Sequence, residues 1–333
     1  MKVTIIGGGV AGLQTALTLK SLGIESIIVE KDNALGGKLR GWHKLFPTMT
    51  PAEEVLNPLL DGIKDANVEV LLSTEVLAFE EDGVQTSRGK IESDATVVCS
   101  GFDLFDATLK EEYGYGIYDN VITSAELERM MNDGCVALAD GTKPRRIAFL
   151  HCVGSRDEKV QQRHCSKVCC VTGVKQAIEM RRLFPQSEIY NFYMDIRMFG
   201  SGYEEMYRSA QQEYGIQFIR GRISEAAPVL DGKLQIKAED TLIGRPLKMT
   251  VDMLVLLIGM TAGQSNGCWA KCRGVELRDS NFVKPYNEFD GNVCSSVTNL
   301  FYAGTVTAPK TIGETLNEAN AAAVRVAKYL GKL

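Results

Sequence analysis

A chain of 333 residues, 45% of them hydrophobic, is long enough for two domains of ordinary size and can fill two cores, which excludes a disordered protein. A formal net charge of −5 and a pI near 5.5 leave no concentrated positive field for nucleic acid or an anionic membrane surface, so proteins and small molecules are the expected partners. The longest apolar run, Met253–Ile258, suits a buried strand rather than a membrane span of ~20 residues, and nine unevenly clustered cysteines suggest reduced thiols or metal ligands in a cytoplasmic protein without a secretory signal.

Met1–Ile6 is a short apolar β run, Val10–Leu22 has helical periodicity and Ile24–Glu30 is a second β run, together one βαβ unit that opens a parallel sheet. Between the first strand and the helix, Gly7-Gly8-Gly9-Val10-Ala11-Gly12 is a GxGxxG in the context the motif requires. Gly7 serves the tight turn, Gly9 lets backbone amides approach a pyrophosphate, and Gly12 allows close helix–strand contact. Glu30 would accept hydrogen bonds from a ribose and repel a 2′-phosphate.

Further along, Pro51–Ala66 reads as an amphipathic helix, and Val68–Leu72, Glu75–Glu80, Val84–Ser87 and Ala95–Cys99 as strands, before an irregular stretch at Gly101–Tyr118. A second αβ series begins with a strand at Arg145–Leu150 and passes through a cysteine segment into a helix from about Val168 to Leu183, then a strand at Glu188–Tyr193. Strands come next near Ile216–Arg222, Lys233–Glu239 and Val251–Ile258, and the chain closes with Leu300–Ala303 and a long helix, Ile312–Leu330. The expected class is α/β with two dinucleotide-binding, Rossmann-like domains. Residues 1–142 and 260–333 form the first, and residues 143–259, with the cysteine segment, the second.

Cys152, Cys165, Cys169 and Cys170 sit where such a fold usually places its second phosphate-binding glycine loop. Three readings are open. An iron–sulfur cluster needs four soft thiolates converging on one point, and this is the favoured one. Zinc accepts the same ligands but usually draws them from two CxxC-like knuckles, absent from this segment. A redox-active dithiol near a flavin normally has CxxC or Cx4C spacing, also absent from it. The turn after Arg145–Leu150 has one glycine in Val153-Gly154-Ser155-Arg156 where a nicotinamide site would show GxGxxG/A. Cys268, Cys272 and Cys294 read as unligated thiols, and His43, His151 and His164 are too scattered for a ligand set.

Glu30 followed by Gly36-Gly37-Lys38, the strand end Val97-Val98-Cys99-Ser100-Gly101 and the late segment Thr298–Gly304 resemble the two-dinucleotide-domain flavoproteins. His151-Cys152-Val153-Gly154-Ser155-Arg156-Asp157, then Cys165, Cys169-Cys170 and Lys175-Gln-Ala, with Tyr113-Gly-Tyr-Gly116, Asn120-Val-Ile-Thr123 and Phe46-Pro-Thr48, resemble the A subunit of heterodisulfide reductase through nearly the whole chain. The resemblance implies a thioredoxin-reductase-like flavoprotein core with FAD and a [4Fe-4S] cluster, and carries over the four cysteines as cluster ligands and Lys175 as a lysine near the flavin. For FAD it implies contacts from Gly7, Gly9, Val10, Ala11, Gly12, Glu30, Lys31, Gly37, Lys38, Val76, Ser100, Gly101, Gly304, Thr305, Thr311 and Ile312. Thr305 stands where that superfamily usually has Asp and brings no charge.

Large methanogen subunits of the family carry extra ferredoxin-type cysteine runs that this chain lacks, so it is similar to the short form in heterodisulfide reductase-like complexes of sulfur-oxidising or sulfate-reducing organisms. The resemblance further implies an electron-transfer oxidoreductase that forms a homodimer and works with iron–sulfur and disulfide-reducing subunits in sulfur metabolism. The alternative is a free-standing NAD(P)H-dependent flavin disulfide reductase with a cysteine pair.

Overall fold

The computed structural model describes residues 1–333 and divides the chain into two compact units. Unit 1 comprises residues 1–40, 52–103 and 261–333, and unit 2 residues 41–51 and 104–260. No helix is long and apolar enough to cross a membrane.

Unit 1 is built on a parallel sheet of five strands in the order Leu300–Tyr302, Ala95–Val98, Lys2–Ile6, Glu25–Val29, Glu69–Leu71. Its central strand reads Val-Thr-Ile with all three residues buried, as expected of a parallel strand covered on both faces. The helix Val10–Ser21 follows that strand and packs on the long helix Ile312–Tyr329, which buries a stripe of alanines from Ala319 to Ala327. Both lie within one residue of the expected bounds. Val76–Glu80, Gly83–Thr86 and Gly89–Glu92 form a separate antiparallel meander.

Unit 2 repeats the theme with the order Val121–Thr123, Met253–Ile258, Arg146–Val153, Glu188–Tyr193, Gln217–Arg220, all parallel. Beside it lies an antiparallel sheet of Ile223–Pro228, Leu234–Asp240 and Arg245–Val251. The single strand expected from Val251 to Ile258 is divided. Val251 ends one strand and Met253 begins another in a different sheet, with Asp252 between them accepting hydrogen bonds from the Arg145 and Arg146 amides at 2.8 Å each. The expected domain boundary at residue 142 also differs from the division found. Residues 104–142 fall in unit 2 because Val121–Thr123 pairs with Met253–Ile258, a long-range contact with no local signal.

The core of unit 2 holds an ionic cluster. Lys175 is 2% exposed on the helix Cys169–Leu183, and its ammonium donates to the Lys44 carbonyl at 2.9 Å and pairs with Glu179 at 3.1 Å and with Glu128. Gln176 donates to Glu128 at 2.6 Å, and the half-buried His43 reaches Glu179 through Nδ1 at 2.9 Å. Lysine on a helix face is usually solvated; this one is a buried cation between two buried carboxylates. Removing one partner of such a pairing strands charge in a low dielectric. K175M should therefore lower the stability of unit 2 by about 3–5 kcal/mol, read as a lower urea midpoint, with part of the loss recovered in K175M/E179Q. An unchanged midpoint would show that the cluster is not buried in solution.

Candidate functional site

In unit 1 the candidate site is the turn from Lys2–Ile6 into Val10–Ser21. Gly7, with φ +106°, donates its amide to the Val29 carbonyl at 2.9 Å. A Cβ on Gly12 would stand 1.9 Å from the Gly7 carbonyl oxygen, so the helix can start this close to the turn only with glycine there. The helix has Gly9 as its N-cap and no capping side chain, which leaves its first-turn amides, those of Val10, Ala11 and Gly12, for an anion. Glu30 is 6% exposed and orders the loop, its Oε2 accepting from the Gly8 amide at 2.6 Å and its Oε1 from the Asp32 amide at 2.9 Å.

Most of the expected cofactor residues gather around this helix start. The Gly7 backbone touches Cys99 and Ser100, Gly37 packs on Gly9, Gly304 packs on Ala11, and Gly101 lies beside Thr305. Lys38 stands over the Phe102 ring, 5.0 Å from its centroid. Thr311 caps the helix that begins at Ile312, in a reciprocal capping box with Glu314. Lys31 is exposed one residue past Glu30, and Val76 is half-buried at the start of the meander, outside this ring.

In unit 2 the cysteine segment joins the strand Arg146–Val153 to the helix Cys169–Leu183. The strand's pairing with Met253–Ile258 shifts register between Leu150 and Val153, a bulge in which Cys152 takes φ +62°. A non-glycine residue in left-handed backbone within a bulge marks a re-aimed side chain, and Cys152 is buried at 3% exposure. At the other end Lys167 has φ +63°, and the helix begins with Cys169 and Cys170, both buried, with no capping side chain. Cys165 lies between, half-buried, its Sγ accepting from the Lys167 amide at 3.4 Å.

The four thiols are close enough to influence one another. Burial pushes the Cys152 thiol up to about 12, with Cys170 and Cys165 adding to the effect. Burial also raises Cys169 well above the ordinary thiol range, with Cys152, Cys170 and Cys165 contributing, and it raises Cys170 against the pull of Arg197 and Arg156. Left as thiols, these three keep their protons at neutral pH. No three His, Cys, Asp or Glu side chains stand close enough to hold a single metal ion.

The loop is fastened by groups that sequence reasoning did not assign. Arg156 pairs with Asp195 at 2.8 Å. Asp157 caps the turn at Lys159 and takes Lys110 at 2.8 Å and Arg222 at 2.6 Å. Burial opposes ionisation of Asp157, but those two cations outweigh it and hold its carboxyl below the usual range. Ser155 and Ser166, both fully buried, share a 2.6 Å hydroxyl contact, and His164 meets the Met260 carbonyl at 2.8 Å. His151 is buried, its Nε2 2.8 Å from the side-chain Oδ1 of Asn191, and burial lowers its pKa to about 4. Only the cap at Asp157 had a local signal. Cys268 and Cys272 are exposed free thiols.

A family model described as pyridine nucleotide-disulphide oxidoreductase matches residues 1–323. The chain belongs to this family. Membership makes it an oxidoreductase and implies FAD as its cofactor, which the uncapped helix start and the glycine cradle of unit 1 suit. The chain is 33% identical over 97% of its length to the iron-sulfur A subunit of CoB–CoM heterodisulfide reductase from Methanocaldococcus jannaschii. It is 31% identical, also over 97%, to the A subunit of the H2/formate:CoB-CoM heterodisulfide,ferredoxin reductase of Methanococcus maripaludis. It spans 63% of the length of each of these relatives. Among solved structures, T. acidophilum thioredoxin reductase matches with a TM-score of 0.68 at 16% identity, covering 99% of this chain and 97% of that one. The sulfide:quinone oxidoreductase of Aquifex aeolicus matches with 0.65 at 18%, covering 99% and 77%. At such identities the likeness is one of fold, and it agrees with the two-unit, thioredoxin-reductase-like reading.

Because the Cβ of G12A would collide with the Gly7 carbonyl, that variant should retain at least roughly tenfold less flavin than wild type. The check is flavin released on denaturation per mole of protein, with the far-ultraviolet dichroism unchanged. Equal flavin in the two proteins would remove the glycine turn from the cofactor site.

Proposed function

We propose that the chain is an electron-relay subunit of a heterodisulfide reductase-like complex, holding FAD in unit 1 and a [4Fe-4S] cluster on Cys152, Cys165, Cys169 and Cys170 in unit 2. The observation that carries this reading is the set of four cysteines, three of them buried, that a strand end, a loop and a helix start contribute to one segment whose backbone is bent at both ends. Buried thiols with raised pKa values are poor free nucleophiles but good sites for a cluster, because metal binding displaces the protons that burial retains. A four-iron cluster is wider than one ion, so its thiolates stand farther apart than the ligands of a single metal. The first two residues of the helix Cys169–Leu183 also place two thiolates at the positive end of its dipole, which stabilises their charge.

When bound, FAD exchanges electrons in pairs or singly and the cluster exchanges them singly. The chain's own residues do the rest. Gly7–Gly12 and Glu30 hold and orient the dinucleotide, Asp157 with Lys110 and Arg222 closes the cysteine loop, and Arg156 sets a positive charge near thiolates that would otherwise repel one another. Lys175 is proposed as the lysine near the flavin on the resemblance alone, since its ammonium is buried in unit 2 and already engaged by Lys44, Glu128 and Glu179. The partners proposed are iron–sulfur and disulfide-reducing subunits together with a second copy of this chain, in the cytoplasm, with disulfide or sulfane sulfur as the substrate class of the complex. A free-standing disulfide reductase is disfavoured, since a catalytic pair needs a lowered thiol pKa and burial acts here in the opposite direction.

The test is an anaerobic ultraviolet–visible spectrum with iron, zinc and flavin quantified on the same sample. Flavin bands over a broad shoulder, with about four irons per chain, are expected, and C169S should lose most of the iron while keeping its flavin. Flavin without iron after anaerobic reconstitution, or zinc at about one per chain, sinks the cluster assignment.

A further inference from the structure

The cradle of unit 1 fixes where a diphosphate lies, at the uncapped start of Val10–Ser21. One side of that place is closed by the turn at Gly304, where a Cβ would stand 2.9 Å from the Ala11 methyl. At this turn the chain puts an ion pair that neither the glycine motif nor the helix requires. Glu318, on the helix Ile312–Tyr329, reaches back so that its Oε2 accepts the Gly304 amide at 3.1 Å. Lys310 lies 3.4 Å from the same oxygen and donates to the Gly304 carbonyl at 3.1 Å and to Thr307 Oγ1 at 2.6 Å. The two side chains are only 11% (Lys310) and 15% (Glu318) exposed.

A carboxylate beside a diphosphate would by itself weaken binding through repulsion. Lys310 cancels that charge locally, so the pair adds direction rather than net field. The amide of Gly304 and the ammonium of Lys310 both fall on Oε2. The part of FAD that joins its diphosphate to the isoalloxazine ring is a chain of hydroxyl donors, and the neighbouring Thr305 brings only one neutral hydroxyl to meet it. A charged acceptor supplied one helical segment later does what Thr305 cannot.

We propose that Glu318 accepts a hydrogen bond from a ribityl hydroxyl of FAD, with Lys310 as the positioning residue that holds its carboxylate at the Gly304 turn. The inference rests on the FAD cofactor of the family and names a contact for it. Burial lowers the Lys310 pKa and raises that of Glu318, and the contact between the two opposes both shifts.

The experiment titrates flavin-free protein with FAD and with its 2′-, 3′- and 4′-monodeoxyribityl analogues, following flavin absorbance and fluorescence, for wild type, E318A, E318Q and K310M. E318A should bind FAD roughly ten- to a hundredfold more weakly. One analogue should bind wild type more weakly by a similar factor and lose nothing further in E318A, while K310M shows an intermediate loss. A purely structural role for Glu318 would leave the analogue's penalty the same in wild type and variant, and that result overturns the assignment. If E318A fails to fold, E318Q keeps the Gly304 bond and the same cycle applies: the penalty must shrink, and an unchanged penalty overturns the proposal. Wild-type protein that takes up no FAD overturns the cofactor reading itself, and this contact with it.

Discussion

On the proposed function, unit 2 depends on one geometric constraint: cysteines from a strand end, a loop and a helix start must serve one point, and a plain strand-to-helix connection does not bring them there. Successive side chains on a strand point to opposite faces, and on a helix they diverge by about 100°. Irregular backbone at the strand end and just before the helix bends the segment round, while Cys169 and Cys170 are themselves helical. The bulge at the strand end turns Cys152 out of the alternation, and the left-handed Lys167 brings the chain to a helix whose first residues are the thiols themselves. Non-glycine residues in left-handed backbone cost of order 1–3 kcal/mol each, and Arg156 and Gln161 adopt it as well. The fastening of the loop by Asp157, Lys110, Arg222 and the Ser155–Ser166 hydroxyls is therefore required, because without it the strained turns would relax and the thiols would separate.

The buried charges reflect the same economy of space. Lys175 sits in the second turn of the helix that the cysteines begin, on the side covered by the segment from His43 and by the helix carrying Glu128. Hydrophobic residues in place of the whole ionic group would pack at least as well, since a buried ion pair is often no more stabilising than an apolar replacement, whereas replacing Lys175 alone strands its carboxylates. What the pair adds is specificity. Glu128 takes the His43 amide as well as Lys175 and Gln176, so one carboxylate fixes three segments that are far apart in the chain.

What was legible in the sequence was what is local. Gly7 to Gly12 and Glu30 announce their turn because the strand, the glycines and the helix are contiguous, and Cys169 to Leu183 showed its helix for the same reason. Cys152 was legible as a ligand candidate but not its bulge, because a bulge is a disagreement between two strands and the partner, Met253–Ile258, lies far along the chain. The split at Asp252 was hidden in the same way: hydrophobicity is continuous across it, and only the amides of Arg145 and Arg146 give the acid its place. Lys175 illustrates the limit most plainly, since its residue type favours solvent and its three partners come from residues 44, 128 and 179. Likewise, the absence of an acid at Thr305 could be seen in the sequence, whereas the reach of Glu318 back to Gly304 could not.

On the proposed function, the two units use one device on two kinds of anion. In each, a central parallel strand runs into a helix whose first amides have no capping side chain, and the positive end of that helix faces the space beyond the strand. In unit 1 the connection is three glycines, residues 7–9, short enough to bring backbone amides against a diphosphate. In unit 2 it is residues 154–168, long enough to fold back and carry Cys165 toward Cys152, Cys169 and Cys170. The helix start that would bind the diphosphate of a nicotinamide dinucleotide is thus built from thiol-bearing residues. On the proposed function, electrons enter or leave unit 2 through the cysteine site and not as hydride from a dinucleotide lying on its helix. The same dipole then stabilises thiolate charge instead of phosphate charge, which is how a dinucleotide fold can serve a cluster without changing its sheet.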